Sequence, residues 1–272
     1  MKKRILSLAL IVAMIALMVT SFTMAYFTDT DEAVNTMVFG DAKIKLNEQQ
    51  KDDQGNMVDF DADSVILVPA VFTYSDDGQS ISVANKVDKY VSVTNTGKNN
   101  VYVRVIYAFE GTNAEVQDYI HAFVNDGGNW DYNPVYVSAN NDFAGARMIG
   151  TEGGNWTICE AVYNIPLESG KTTDYSLKQF FLSPDADYDH TDDGVKNGID
   201  TLFGDKYTIM VLAQAVQVEG FEAAGTKNAS RVALESAFGN LWDGNDVTDQ
   251  ELADLFDLGL ILDANGNPIP RA

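Results

Sequence analysis

Apolar residues along most of the chain alternate with polar residues at the period of two that is typical of β-strands. The alternation is clearest at residues 100–109, and residues 206–221 are apolar on both alternating faces. A strand with two apolar faces is usually covered on both sides. Residues 65–72 are also apolar, but Pro69 lacks an N–H group and places this run at a sheet edge or a bend. The pattern predicts a fold dominated by strands.

Three short segments instead repeat apolar residues at helical spacing. Two of them begin with a capping box, in which a Thr hydroxyl and a Glu carboxylate satisfy free N–H groups of the first turn. The predicted helices cover residues 113–124, 228–238 and 249–258, and the capping boxes pair Thr112 with Glu115 and Thr248 with Glu251. We therefore expect one β-rich domain with inserted short helices.

Turn residues predict two antiparallel hairpins. At residues 90–105, an Asn-x-Gly turn separates two alternating segments, and at residues 163–182 a Gly170-Lys171 turn does the same. Each turn predicts that the strands on its two sides are neighbours in one sheet. Arg104 lies on the second strand of the first hairpin, where we expect a surface or ion-paired side chain.

The first 25 residues have the organisation of a secretory signal peptide. Three basic residues precede an apolar run at 5–19, and Thr23 and Ala25 supply small residues before a cut at Tyr26. The competing interpretation is an uncleaved signal anchor, because apolar or hydroxyl residues continue beyond the cut. In either case the rest of the chain leaves the cytoplasm. We expect the chain to contact the membrane only through the signal peptide, before cleavage.

Charge and composition exclude several classes of protein. With 272 residues and 46% hydrophobic content, the chain can bury a sizeable core. The formal charge is −22 and would become −25 without the three basic residues of the leader. Because such a surface repels phosphate backbones, we expect no binding to nucleic acid. The single cysteine, Cys159, cannot form an intramolecular disulfide and is expected to be a small buried hydrophobe.

Acidic residues are densest at residues 185–194, where Asp185, Asp187 and Asp189 alternate as at the start of an EF-hand loop. His190 replaces the glycine that such a loop needs, and Lys196 replaces the bidentate Glu. The stretch is therefore either a weak calcium site or a solvated acidic loop. We expect no other cofactor.

Catalytic motifs are absent from the sequence. It contains two histidines, His121 and His190, and neither belongs to a His-Glu-x-x-His zinc motif. The sequence also lacks the Gly-x-Ser-x-Gly elbow of serine hydrolases. We therefore expect a protein that is not an enzyme.

The block Ala25-Tyr-Phe-Thr-Asp-Thr-Asp-Glu-Ala-Val-Asn-Thr-Met-Val-Phe-Gly-Asp-Ala-Lys-Ile-Lys-Leu46 resembles the start of the TasA and camelysin family, secreted proteins processed by a SipW-type signal peptidase. The segment at 90–105, the turn within 163–182 and the closing run at 213–221 resemble the same family. The block departs from the family at Met37-Val38-Phe39, where a single aromatic or a Val-rich alternation is usual.

The resemblance implies a structural role outside the cell. In the fibre-forming members, the mature N-terminal segment is donated as a strand to the next subunit. Leaving large apolar side chains in water costs about 1.5–3 kcal/mol each, so those of this segment should be buried either in a neighbour or in their own domain. The candidate assembly residues are Phe27, Val34, Met37, Phe39, Ile44 and Leu46. The implied partners are further copies of the chain and a SipW-type signal peptidase.

Pattern and resemblance together predict a jelly-roll-like antiparallel β-sandwich with inserted short helices, preceded by a signal-peptide helix. We divide the chain into a signal peptide (1–25), a mature N-terminal strand (26–46), a sandwich domain (47–240) and a C-terminal helix and tail (241–272). The expected function is self-assembly into extracellular fibres of a biofilm matrix or cell surface. The alternatives are a monomeric cell-surface adhesion module with weak calcium binding and a camelysin-like metallopeptidase.

Overall fold

The computed structural model describes residues 36–39, 42–62, 69–75, 81–123, 128–133, 136–137, 140–141, 146–151, 154–184, 207–220 and 228–258. The expected signal-peptide helix, with Thr23, Ala25 and Tyr26, lies outside these residues. The acidic stretch with Asp185, Asp187 and Asp189 also lies outside them. No helix among the described residues is long and apolar enough to cross a membrane.

Strands make up about half of the described chain. In chain order they are β1 (Thr36–Phe39), β2 (Ile44–Lys51), β3 (Met57–Asp59), β4 (Val71–Tyr74), β5 (Ile81–Ala84), β6 (Val87–Asn95), β7 (Val101–Glu110), β8 (Ile120–Phe123), β9 (Trp130–Asn133), β10 (Tyr136–Val137), β11 (Asn140–Asn141), β12 (Arg147–Thr151), β13 (Gly154–Tyr163), β14 (Leu177–Leu182) and β15 (Ile209–Gln217). The helices are α1 (Asn113–Tyr119), α2 (Ala229–Phe238) and α3 (Asp249–Leu255). The expectation of a strand-rich chain with short inserted helices is confirmed.

Two larger sheets hold most of the strands. Sheet A has the order β1-β15-β7-β13-β12, and β9 pairs with the far end of β13. Sheet B has the order β3-β2-β6-β14-β8. All of these pairings are antiparallel except that of β1 with β15, which is parallel. The β4–β5 and β10–β11 pairs form separate two-stranded sheets.

The two larger sheets pack against each other through a common apolar core. Sheet B contributes Ile44, Leu46, Val91 and Val93, and sheet A contributes Val103, Val105, Tyr107, Cys159, Ala213 and Ala215. Cys159 is fully buried there, and burial raises the pKa of its thiol well above the usual range. The expectation of a buried, hydrophobe-like cysteine is confirmed.

The opposite face of sheet A is covered by the C-terminal helices. Helix α2 packs on Tyr102, Val162 and Val216, while α3 and the preceding loop pack on Ile106, Ile158 and Leu212. Strand β15 is therefore buried on both faces, as the apolar pattern of residues 206–221 predicted. Helix α2 follows the predicted bounds and ends at Gly239.

Both predicted capping boxes are confirmed, but the first helix is shorter than predicted. The Thr112 N–H donates to Glu115 Oε2 (2.7 Å), and the Glu115 N–H donates to Thr112 Oγ1 (3.3 Å). The prediction that the helix continues to Val124 is wrong, because α1 ends at Tyr119 and β8 follows at once. Strand β8 pairs with β14 at the edge of sheet B, with Ile120 in the common core. This pairing buries Ile120, which a longer helix would also have placed on its apolar face.

Both predicted hairpins are wrong. Strands β6 and β7 lie in different sheets, and so do β13 and β14. Asn95, which is fully buried, turns the first connection across the sandwich: its Nδ2 donates to the carbonyls of Asn99 (2.8 Å) and Leu167 (2.9 Å). The Asn95 N–H also donates to the Lys171 carbonyl (2.9 Å). The two connections thus hydrogen-bond to each other, and neither folds its strand back onto its neighbour.

Candidate functional site: the N-terminal strand and its acceptor edge

Strand β1 lies at one edge of sheet A. It is the first strand of the described chain, and it pairs with β15, the last. It pairs in parallel with β15 over four residues, from Thr36 opposite Ala213 to Phe39 opposite Val216. Among the described strands, β1 has no partner on its other side. A short edge strand with one partner is the least secured element of a sheet.

The edge of β15 that receives β1 is part of the centre of the fold. On its other side β15 pairs with β7 along its whole length, from Ile209 to Gln217. Ala213 and Ala215 face the common core, and the register places Thr36 and Val38 opposite them. Without β1, backbone N–H and C=O groups of β15 would lose their partners next to that core. We call this edge of β15, residues 213–216, the acceptor edge. It requires a paired strand, either β1 of the same copy or β1 of another copy.

The chain changes sheets directly after β1. Only residues 40–43 separate it from β2, which pairs with β6 from Ile44 to Gln49 in sheet B. Ala42, Ile44 and Leu46 are buried in the common core. The part of the N-terminal segment that is fixed in the common core therefore begins at Ala42, inside the N-terminal strand that we expected to extend to residue 46.

This boundary divides the six candidate assembly residues. The structure places Met37 and Phe39 in β1, opposite Gln214 and Val216 in the register. Ile44 and Leu46 pack within their own domain, the alternative that the sequence left open. Phe27 and Val34 lie outside the described residues.

A buried polar network lies behind the acceptor edge and was not predicted from the sequence. Arg104 Nε donates to Gln214 Oε1 (2.7 Å), and Arg104 Nη1 donates to Glu160 Oε1 (3.1 Å). Arg231 of α2 donates to the other Glu160 oxygen (2.5 Å). Burial lowers the pKa of Arg104, although Glu160 opposes that effect. The ion-paired alternative for Arg104 is thereby confirmed, with its guanidinium under α2.

The end of α2 completes this network. Arg104 Nη1 also donates to the Gly239 carbonyl (3.2 Å). Gly239 has a φ of 79°, and a Cβ there would lie 2.5 Å from a Val247 methyl group, so only glycine fits. The network thus connects β7, β13, β15 and the end of α2 to one another behind the edge of β15 that pairs with β1. A sequence clue was available: Arg104, Glu160 and Gln214 are polar residues within three of the most apolar strands.

Side chains that could bind a metal ion are dispersed over the described residues. No cluster of three or more His, Cys, Asp or Glu side chains within those residues could hold a metal ion. His121 stacks on Phe181 with ring centroids 5.0 Å apart, and burial lowers the pKa of its imidazole. The calcium candidates Asp185, Asp187 and Asp189 lie outside the described residues.

The candidate site is therefore the edge of sheet A at which β1 pairs with β15. No protein-family model matches the sequence, and no curated protein matches it.

Proposed function

We propose that this chain is a secreted structural protein that assembles into extracellular fibres by exchanging its N-terminal strand. After cleavage at Ala25, β1 of one copy leaves its own sheet A and pairs with β15 of the next copy. The observation that carries the proposal is the position of β1. Among the described strands it lies at a sheet edge with one partner, and a short connection to the core follows it. Repetition of this exchange builds a linear polymer.

The exchange is inexpensive because it replaces contacts with identical ones. A strand that moves to a second copy regains the same backbone pairing and the same neighbours Ala213 and Ala215. The main cost is the loss of translational and rotational freedom of the incoming copy. The connection between β1 and β2 also favours exchange. It consists of only four residues, 40–43, and short hinge loops promote the swapping of an element between copies.

Cleavage acts as the switch in this account. Before cleavage, residues 26–35 tie β1 to a membrane-held leader, and β1 cannot thread into a neighbour. Removal of the leader by a SipW-type signal peptidase frees the strand. The site of action is then the extracellular matrix or the cell surface, as the resemblance to the TasA and camelysin family implies.

We also infer a jelly-roll-like sandwich as the finer description of the fold. Two observations support it: the apolar faces of sheets A and B meet in one core, and the connections after β6 and β13 each cross from one sheet to the other. The parallel pairing of β1 departs from an all-antiparallel sandwich. In our account this pairing belongs to the exchangeable element and leaves the antiparallel core unchanged.

The test compares two purified chains, one beginning at Tyr26 and one beginning at Ala42. The second lacks β1 but keeps Ile44 and Leu46, which a cut at Asn47 would remove from the core. Negative-stain microscopy should show filaments only for the longer chain, while circular dichroism should show folded strands for both. Filaments from the shorter chain, or folded monomers from both, would contradict the proposal.

A further inference from the structure

The outer face of sheet B, at β2 and β6, points away from the common core. Successive residues of a strand face opposite sides of the sheet, and paired residues of neighbouring strands face the same side. Ile44, Leu46 and Val93 point into the core, so the residues between them point outward. Helices α2 and α3 pack on the outer face of sheet A, and they leave this face of sheet B uncovered.

Six polar residues lie side by side on this face, and we call them the outer strip. They are Lys45, Asn47 and Gln49 of β2, Ser92 and Thr94 of β6, and Thr172 of the segment before β14. Asn47 Nδ2 donates to Thr94 Oγ1 (2.9 Å), and the Thr94 and Thr172 hydroxyl oxygens lie 2.8 Å apart. The Lys45 ammonium and the Gln49 amide have no hydrogen-bond partner within the described part of the chain. They are therefore available to a ligand.

Lysines surround one end of the outer strip. Residues 42–47, 92–98 and 168–172 meet there, because the Thr96 N–H donates to the Lys43 carbonyl (2.8 Å) and the Asn95 N–H donates to the Lys171 carbonyl (2.9 Å). The three stretches contain one acidic residue, Glu168, and four lysines: Lys43, Lys45, Lys98 and Lys171. All four lysines are exposed, and none forms an ion pair with another described residue. In a chain with 40 acidic and 18 basic residues, this end of the sheet reverses the overall charge.

Charge and hydrogen-bonding groups together indicate the kind of partner. The lysines attract an anionic chain, while the acidic surface elsewhere repels it and restricts contact to this end. The outer strip itself carries one charged side chain and five uncharged hydrogen-bonding side chains, which match a polymer whose carboxylates are separated by hydroxyl groups. Double-stranded DNA carries a charge about every 1.7 Å and would leave the uncharged groups of the strip without matching partners. An acidic polysaccharide fits this surface better than a nucleic acid does.

We propose that the outer strip and the lysines beside it bind a linear acidic polysaccharide. Its carboxylates pair with Lys45 and the neighbouring lysines, and its hydroxyls exchange hydrogen bonds with Gln49 and Thr172. The inference takes the extracellular location from the proposed function. It does not depend on strand exchange, because β1 belongs to sheet A. Binding of this kind would attach each copy to the polysaccharide of a matrix.

The test uses the freshly purified chain beginning at Tyr26 and a short, fluorescently labelled oligogalacturonate, in which each sugar carries a carboxylate. Fluorescence anisotropy at low salt measures the Kd. Lys45→Gln removes a charge from the outer strip, and Gln49→Ala removes an uncharged amide. The matched control is Lys86→Gln, which removes an exposed lysine just before β6, at the opposite end of that strand from the Lys45–Thr94 pair. Circular dichroism verifies that all variants keep the same strand content.

We expect Lys45→Gln to weaken binding about tenfold and Gln49→Ala about threefold, because hydrogen bonds to charged groups contribute more than those between neutral groups. Lys86→Gln should change the Kd less than about twofold, and added NaCl should weaken binding of the unchanged chain. Absence of binding, or equal losses from Lys45→Gln and Lys86→Gln, would overturn the proposal. An unchanged Kd for Gln49→Ala would also overturn it, because charge alone would then be recognised.

Two other occupants of this surface give different results. If inorganic polyphosphate binds at least as tightly as the oligogalacturonate, the partner is a phosphate polymer and the proposal is wrong. If sedimentation velocity without the probe shows self-association that Lys45→Gln abolishes, the surface binds a second copy and the proposal is also wrong. Negative-stain images of the same proteins keep strand exchange separate. Filaments from Lys45→Gln together with weakened binding support both proposals, whereas binding without filaments from the unchanged chain supports only the polysaccharide site.

Discussion

The guanidinium of Arg104 and the carboxylate of Glu160 lie 3.1 Å apart, with side chains only 0% and 2% exposed. A charge in this position depends on its partner, because removing one member leaves the other buried and unpaired. We expect Arg104→Met to lower the free energy of unfolding by about 3–5 kcal/mol. Urea denaturation followed by circular dichroism measures this change.

A matched ion pair provides the control for Arg104. Arg147 and Asp249 also pair, at 2.5 Å, but the Asp249 side chain is 34% exposed. Arg147→Met should therefore cost clearly less, about 1 kcal/mol, because water can solvate the remaining carboxylate. Equal losses from the two substitutions would show that burial does not determine the cost and would contradict the role given to the network.

Asn95 should be among the most sensitive polar residues of the fold. Its side chain donates to the Asn99 and Leu167 carbonyls and accepts from the Gly97 N–H (2.9 Å). Asn95→Ala leaves these buried groups without partners, and we expect a loss of about 2 kcal/mol or more in the free energy of unfolding. Asn56→Ala, in the exposed turn after β2, should change stability by less than about 1 kcal/mol. A similar small effect at both positions would mean that Asn95 does not hold the crossing connection.

His121 should make stability depend on pH in mildly acidic solution. Burial lowers the pKa of its imidazole below the ordinary value of 6.5. As pH falls below that value, the unfolded chain binds a proton first, so stability falls until the pH passes the lower pKa of the folded state. The contribution of His121 to stability is therefore fully present above the ordinary pKa and is lost as pH falls below it.

Comparison with His121→Gln isolates this effect, since the carboxylates are common to both proteins. Urea unfolding at about pH 7.5 and about pH 5.5 should show a larger loss for the unchanged chain than for the variant. An equal loss in both proteins would show that His121 does not contribute to the pH dependence.

The features that the sequence predicted correctly depend on local chemistry. The capping boxes at Thr112 and Thr248 require residues three apart, and the two apolar faces of β15 are visible in its own alternation. Burial of Cys159 follows from its place in an apolar strand. In each case the information lies within a few residues.

The predictions were wrong where the local structure depends on contacts with residues that are distant in the sequence. Asn95 was interpreted as a hairpin turn, but its side chain bonds to Leu167, far along the sequence. Ile120 fits a helical stripe equally well until β14 offers it a strand partner. The acceptor edge could not be predicted for the same reason, because pairing of Thr36 with Ala213 is not encoded in either segment alone.

The most direct test of strand exchange is a cysteine pair across the β1–β15 register, Val38→Cys with Ala215→Cys. Paired residues in neighbouring strands lie about 4.8 Å apart, within the usual range of a disulfide. The native Cys159 is fully buried, and the additional substitution Cys159→Ala ensures that it forms no disulfide. Chains with only Val38→Cys serve as the control.

Filaments grown under reduction, then oxidised and dissolved in detergent without reductant, should give a ladder of covalent dimers, trimers and longer chains. Monomers with an internal disulfide would show that β1 stays in its own copy and would contradict the account.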